Sequence, residues 1–236
     1  AVRDLLSRIN PDEIRSIHEE MIDIIKRNRI FRNGTISGYV VAGLDGAELF
    51  SSTKKSCPNC LTRKKLTGET EYFYRSVVCM TIGKSPHVIL GQEMLKPRDL
   101  SGFEMEGCPY KLRVVRYHEQ WKENGKETER FMWLVTTLEA ADYRVLWEMM
   151  HRRWDIEENG FHQLKTYYHA KHCYCHDAVE TISNLIIIGF NVRELYLYRR
   201  SRNFAGSGIS RKSINRIFCD GLLTEKVKQI LYEKGG

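Results

Sequence analysis

Three groups of residues in this 236-residue sequence have the types and spacing to do chemistry. The first is residues 152–165, Arg-Arg-Trp-Asp-Ile-Glu-Glu-Asn-Gly-Phe-His-Gln-Leu-Lys. On a helix, steps of three and four residues bring Arg153, Glu157, Phe161 and Leu164 or Lys165 onto one face. That spacing also suits a plain intrahelical ion pair between Arg153 and Glu157, worth about 0.2–0.5 kcal/mol. Trp154, beside Arg153, suits either stacking on a base or burial in a core, as do Tyr167, Tyr168 and Tyr174. The second group is Asp45-Gly46, which ends an apolar run and reads, taken alone, as a turn. The third is cysteine and histidine. Cys57-x-x-Cys60 has the knuckle spacing of tetrahedral zinc, and His169, His172, Cys173, Cys175 and His176 cluster downstream. Cys57 and Cys60 with Cys173 and His176 would make a structural Zn²⁺ staple; the alternative is loop thiols and surface imidazoles that are neighbours only in sequence. Cys79, Cys108 and Cys219 are isolated and read as small buried hydrophobes.

Charge adds a partner class. Lys+Arg exceed Asp+Glu by 37 to 30, a net +7. Between 193 and 216 stand Arg193, Arg199, Arg200, Arg202, Arg211, Lys212 and Arg216 against one acid, Glu194. With Tyr196 and Tyr198 alongside, this segment suits a polyanion, most simply nucleic acid, or else a solvated helix end and loop. Hydrophobic content of 42% excludes a disordered chain, and 7 cysteines are too few for a disulfide scaffold. No apolar run, 185–190 included, approaches the roughly 18 residues of a membrane span. Without a signal-peptide pattern the expected setting is intracellular and reducing, and the missing initiator Met suggests a processed or cut-down chain.

The elements that must carry these groups fall into two halves. Asn10-Pro11-Asp12-Glu13 reads as a helix start, and Ile14, Ile17, Met21, Ile24 and Ile25 continue it to about residue 26. Strands are expected over 37–44, 71–82, 87–90, 112–117 and 130–137. A polar loop is expected over 51–68, and turns at Gly83-Lys84-Ser85-Pro86 and Asn124-Gly125. Helices follow over 141–165 and 177–200, then a Gly/Ser stretch over 201–210 and a short helix near 224–231. Strands first and helices later predict an α+β fold.

The run Arg-Trp-Asp-Ile-Glu-x-x-x-Phe-x-x-Leu-Lys over 153–165 resembles the C-terminal signature of bacterial insertion-sequence transposases of the DDE class. In that family a Tyr-Arg-Glu-Lys pattern surrounds the last catalytic carboxylate, on a helix of a ribonuclease-H-like fold. Glu157 matches the glutamate, Arg153 the arginine and Lys165 approximately the lysine. His172-Cys173, Asp45-Gly46-x-Glu48-Leu49, Cys57-x-x-Cys60-Leu61 and Thr70-Glu71-Tyr72 resemble the same family, so the likeness spans about 38–200. It implies a ribonuclease-H-like mixed sheet with flanking helices: a helical lead-in over 1–36, a catalytic domain over 37–200, and a basic linker and C-terminal helix over 201–236. It further implies Asp45 at the end of the first strand with its oxygens free, holding Mg²⁺ or Mn²⁺ together with Glu157. Arg153, Trp154, Lys165, Arg199, Arg200 and Arg202 would face DNA, both inverted-repeat ends and target, with a homodimer on paired ends and a cytoplasmic, nucleoid-associated location. The sequence departs from the pattern in three places. Met150 stands where the tyrosine belongs, and Lys165 lies eight residues after Glu157. No apolar strand ending in aspartate occurs where the second catalytic aspartate belongs, which points to a block missing near 97–101; Asp99 is a poor substitute. Two alternatives follow: a catalytically inactive DNA-binding remnant with a zinc staple, and a zinc-stabilised structural module.

Overall fold

The computed structural model describes residues 2–54, 60–95, 113–136, 138, 140–172, 174–204, 206–222 and 224–225. The chain is α+β. Helix α1 (Val2–Arg8) buries no side chain and carries no strong sequence signal. Helix α2 (Pro11–Arg27) begins as expected, with the Asn10 side chain accepting from the Asp12 amide at 3.0 Å and Pro11 in the first turn. It buries Ile14, His18, Ile22 and Ile25.

Four strands follow: β1 (Ala42–Ser52), β2 (Leu61–Lys64), β3 (Thr70–Thr81) and β4 (Ile89–Leu95). β3 is central. β1 pairs along one side of it, and β2 and β4 pair with successive stretches of the other, all antiparallel. The expected parallel component of a mixed sheet does not occur among the described residues. The first strand also starts later than the apolar run suggests. Residues 34–39 close a tight turn, with the Thr35 and Ile36 amides donating to the Tyr39 carbonyl at 2.6 and 3.1 Å. Ser37 and Gly38 take φ of 47° and 85° there, which no strand allows. The expected loop over 51–68 contains β2, whose short run of Arg and Lys hides any strand signal.

A second sheet is a two-stranded ribbon, β5 (Arg113–Glu123) and β6 (Lys126–Thr136), paired from Arg113 opposite Thr136 to Glu123 opposite Lys126. Asn124 and Gly125 both adopt positive φ, 50° and 79°, as a two-residue hairpin turn requires. The expected helix over 141–165 is four segments end to end. Helix α3 (Tyr143–His151), capped by Asp142, leads to a 3₁₀ turn (Arg152–Trp154), a π-helical segment (Ile156–Phe161) and α4 (His162–Tyr167). A further 3₁₀ turn (His176–Ala178) opens α5 (Val179–Phe204). The last described helix, α6 (Arg211–Leu222), lies upstream of the expected one, most of which is outside the described residues. No described helix is long and apolar enough to cross a membrane.

The main core joins the sheet to the helices. Leu49, Tyr74, Val78, Met80 and Ile89 pack with Ile156, Phe161, Leu164, Ile182, Ile187 and Phe190. A smaller cluster under the ribbon, Val115, Ala141 and Leu146, reaches the main one through Met149. Helix α5 is also fastened by polar bonds. The Asn191 amide accepts from the Ile89 N–H at 2.7 Å and donates to the Ile89 carbonyl at 2.8 Å, completing that residue's backbone bonding as a neighbouring strand would. His18 Nε2 also bonds the Ile89 carbonyl, at 2.9 Å, and burial pushes its pKa below the ordinary imidazole value. Further along β4, Gln92 donates to Asn184 at 2.7 Å and accepts from Ser183 at 3.0 Å. Asn191→Ala leaves the Ile89 N–H without its acceptor in a buried site. It should lower stability by roughly 2–3 kcal/mol, seen as a lower urea midpoint at an unchanged slope.

Candidate active site

The two carboxylates singled out in the sequence are brought to one side of the sheet. Asp45 is the fourth residue of β1, inside the strand rather than at its end. Gly43, two residues earlier on the same face, lies under the helix: a Cβ there would sit 3.1 Å from Ile156 Cδ1. Leu44, on the opposite face, is 67% exposed. Asp45's oxygens are not free. Oδ1 accepts from the Gly46 amide at 2.7 Å and Oδ2 from Arg153 Nη1 at 3.2 Å. The 3₁₀ turn sets this contact, because it aims Arg153 back at β1 one turn before Glu157. The turn is pinned in its place by Asp155, whose Oδ2 accepts from the Gly83 amide at 2.8 Å.

Glu157 is exposed and lies in the π-helical segment. Ile156 and Gly160 on either side are buried, and a Cβ on Gly160 would come within 2.9 Å of Met80 Sδ. A π segment absorbs one extra residue in a helical turn. At about 100° per residue, eight ordinary helical steps would leave Lys165 about 80° around the helix from Glu157. With one residue absorbed, the two fall within about 20° of the same direction. The π segment thus brings Lys165 nearer the Glu157 direction than eight steps of an ordinary helix would. Lys165 is half-buried, its Nζ 5.9 Å from the Phe161 ring centroid. Trp154 is 55% exposed, with the Arg153 guanidinium 5.3 Å from its ring centre, so it belongs to the surface and not the core. Asp45 and Glu157 remain two carboxylates: no group of three or more His, Cys, Asp or Glu suited to a metal occurs among the described residues. Asp99 is outside them. Glu48 is no replacement, since its Oε1 accepts from Arg63 at 2.7 Å and Arg75 at 3.1 Å on the other face of the strand. The bond from Arg63 chiefly holds the Glu48 carboxyl below its usual range.

Of the expected zinc ligands, Cys57 and Cys173 lie outside the described residues. Cys60 and Cys175 are buried in the main core cluster, and His176 is half-buried in the turn before α5. Cys79 is half-buried, and burial pushes its thiol pKa up. Cys219 is exposed, against the expectation of a buried residue, because it falls on the outer side of amphipathic α6.

The basic C-terminal segment is divided. Arg199, Arg200, Lys212 and Arg216 are exposed, and the side chains of Arg202 and Arg211 are not described. Arg193 is 1% exposed and cannot face DNA. It donates to Gln163 Oε1, pairs with Glu194 at 3.2 Å, and lies 5.3 Å from the Tyr167 ring centre. Position along α5 decides this, since the helix turns that residue toward α4 and the core. Nearby, burial raises the Tyr168 hydroxyl to about 12, and it donates to the Gly189 carbonyl at 3.2 Å.

No protein-family model, curated protein or solved structure matches this chain. The site therefore rests on its own geometry, which includes a group that sequence reasoning missed. The ribbon is tied to α3 by the Glu119 carboxylate, which receives Arg130 at 2.7 Å, the Trp147 indole at 2.7 Å and His151 at 2.8 Å. Glu119 lies beyond the expected strand over 112–117, the register of the ribbon sets it opposite Arg130, and nothing in the sequence joined either to Trp147 or His151. The Arg130 hydrogen bond, helped by Trp147 and the neighbouring positive charge, holds Glu119 below its ordinary value near 4.5 despite the opposing pull of burial. A carboxyl depressed on folding contributes fully above its unfolded value and loses the contribution as pH falls through the lower folded value. Glu119→Gln should therefore be less stable than the parent at pH 7, with the gap closing below about pH 4. Urea midpoints at both pH values check this.

Proposed function

We propose that this chain is a DNA transposase of the DDE class with a ribonuclease-H-like core, cutting DNA at transposon ends and transferring the strand to a target. The observation that carries the reading is the approach of Asp45 on the central sheet to the segment bearing Arg153 and Glu157, made direct by the Arg153–Asp45 ion pair. An antiparallel run of β1, β3 and β4 under that helix is compatible with the front half of such a core.

Asp45 and Glu157 are the carboxylates that would hold Mg²⁺ or Mn²⁺, hard ions that take oxygen donors, once Arg153 has left Asp45. When bound, that ion supplies an activated water or 3′-hydroxyl and a stabilised leaving oxygen at the scissile phosphate. The protein's own part is positioning. Arg153 neutralises Asp45 in the resting arrangement and, once displaced from it, is placed to hold a phosphate oxygen. Lys165, turned to the Glu157 side by the π segment, contacts the backbone two turns further on. Exposed Trp154 offers a stacking surface to an unpaired base at the cut end. Arg199 and Arg200, with Arg202, extend the DNA contact beyond the catalytic helix, and paired ends would bring two chains together.

A second reading, an inactive DNA-binding remnant, is favoured by one observation: both Asp45 oxygens are engaged, and the described residues supply only two candidate ligands. Purified protein should nick DNA bearing terminal inverted repeats with Mg²⁺ or Mn²⁺ and not with EDTA. Glu157→Gln should reduce the rate at least 100-fold, on the order expected when charge stabilisation at a phosphoryl centre is removed. Undiminished nicking by that variant rejects the assignment, whereas salt-sensitive binding without nicking under any metal establishes the remnant.

A further inference from the structure

A cavity of about 580 Å³ is bordered by Gly46 and Glu48 of β1 and by Arg63, Arg75, Lys165 and Lys171. The outer edge of β1 pairs with no other strand among the described residues. The strand itself is irregular there: Phe50 takes φ of 54° and the pairing with β3 slips between Leu49 and Ser52. Four cations therefore converge on one hollow from three separate elements, β2, β3 and the helix-to-turn stretch after Glu157. Their only carboxylate in the hollow, Glu48, is already shared by Arg63 and Arg75, at 2.7 and 3.1 Å. Among the described residues neither lysine has an ion-pair partner. The two guanidinium groups are also held over one ring, Phe73, at 4.7 and 5.7 Å from its centre. Arg63 is further fixed by buried Glu71, through Nε at 2.9 Å.

We infer that this cavity is a binding track for the phosphodiester backbone of DNA, with Arg63 and Arg75 as its rigid wall and Lys165 and Lys171 as its mobile one. The inference rests on the DNA-processing reading above and adds three residues, Arg63, Arg75 and Lys171, that the sequence did not single out. Guanidinium groups fixed before binding give up little freedom on meeting an anion, and fork geometry suits phosphate oxygens. Hollows lined by one sign of charge concentrate a polyanion of the other. Gly46, which borders the cavity, is the neighbour of Asp45 along β1, so the track lies on the strand that carries the candidate carboxylate.

The test is equilibrium binding to a DNA duplex in EDTA, followed by fluorescence anisotropy across a KCl series, for the parent, Lys171→Ala, Arg75→Ala and Lys26→Ala. Removing one cation that neutralises a duplex phosphate lowers the slope of log affinity against log salt by about 0.9. Lys171→Ala and Arg75→Ala should each show that fall, and Lys26→Ala, on a distant face, should not. Lys171→Arg should restore the parent slope. Unchanged slopes in Lys171→Ala and Arg75→Ala, with urea midpoints matching the parent, overturn the track, as does an equal fall in Lys26→Ala. Nicking is read separately: altered slopes without nicking keep the track and reject the catalytic reading, and nicking with unaltered slopes does the reverse.

Discussion

Everything near the candidate site depends on how α5 is fixed to the last strand of the sheet. Asn191 supplies both a donor and an acceptor to the Ile89 peptide, in place of a further strand. A long helix carrying that many polar side chains could not otherwise lie against a sheet without stranding backbone groups in a dry interface. Once α5 is docked, its Gly189 carbonyl accepts from Tyr168 and its Arg193 donates to Gln163, both from the region of α4. That in turn fixes the helix whose earlier turns carry Arg153 and Glu157. Arg153 and Glu157 are thus positioned by a chain of buried polar contacts that begins far from them.

The same helix shows why spacing in sequence and spacing in space differ. A Cβ on Gly160 would push the end of the Met80 side chain aside, and the π segment lets Ile156 and Phe161 both reach the core. The cost of that poorer helix is carried by core packing, and its result is that Lys165 comes nearer the Glu157 direction. Arg153 illustrates a second point. Asp45 is paired with Arg153 in a contact that stays open to solvent, so the pair contributes little to stability. Under the proposed function, a divalent ion would have to compete with that guanidinium for Asp45.

Much of the local structure was legible. The Asn10-Pro11 start of α2 and the Asn124-Gly125 hairpin follow from capping and turn chemistry alone, because those residue types satisfy specific backbone geometries. The extents of the β5–β6 ribbon and of β1 were less so. Strand ends depend on pairing partners, and Ser37-Gly38 interrupted an apolar run that composition would have continued. Short β2 was illegible, since Leu-Thr-Arg-Lys has no alternation to read, and its place is set by pairing with Leu61 opposite Phe73. In the site, Arg153, Glu157 and Lys165 stood out as a charged helical face, and Asp45 became a candidate only through the family resemblance. Glu119, Arg63 and Arg75 did not stand out, because each acts through partners that only cross-strand or long-range contact supplies.

By itself, the sequence determined the α+β class, the principal helices, the hairpin turn and which acids and bases stand at helical spacing. These depend on interactions within a few residues, where capping, turn and periodicity rules apply directly. Tertiary structure alone decided which charges meet. It buried Arg193, which charge density alone would assign to a DNA-facing segment, engaged the Asp45 oxygens that a strand end would have left free, and gathered Arg63, Arg75, Lys165 and Lys171 around one hollow. Burial and long-range pairing set the fate of a charge, and neither is encoded in any short stretch of chain.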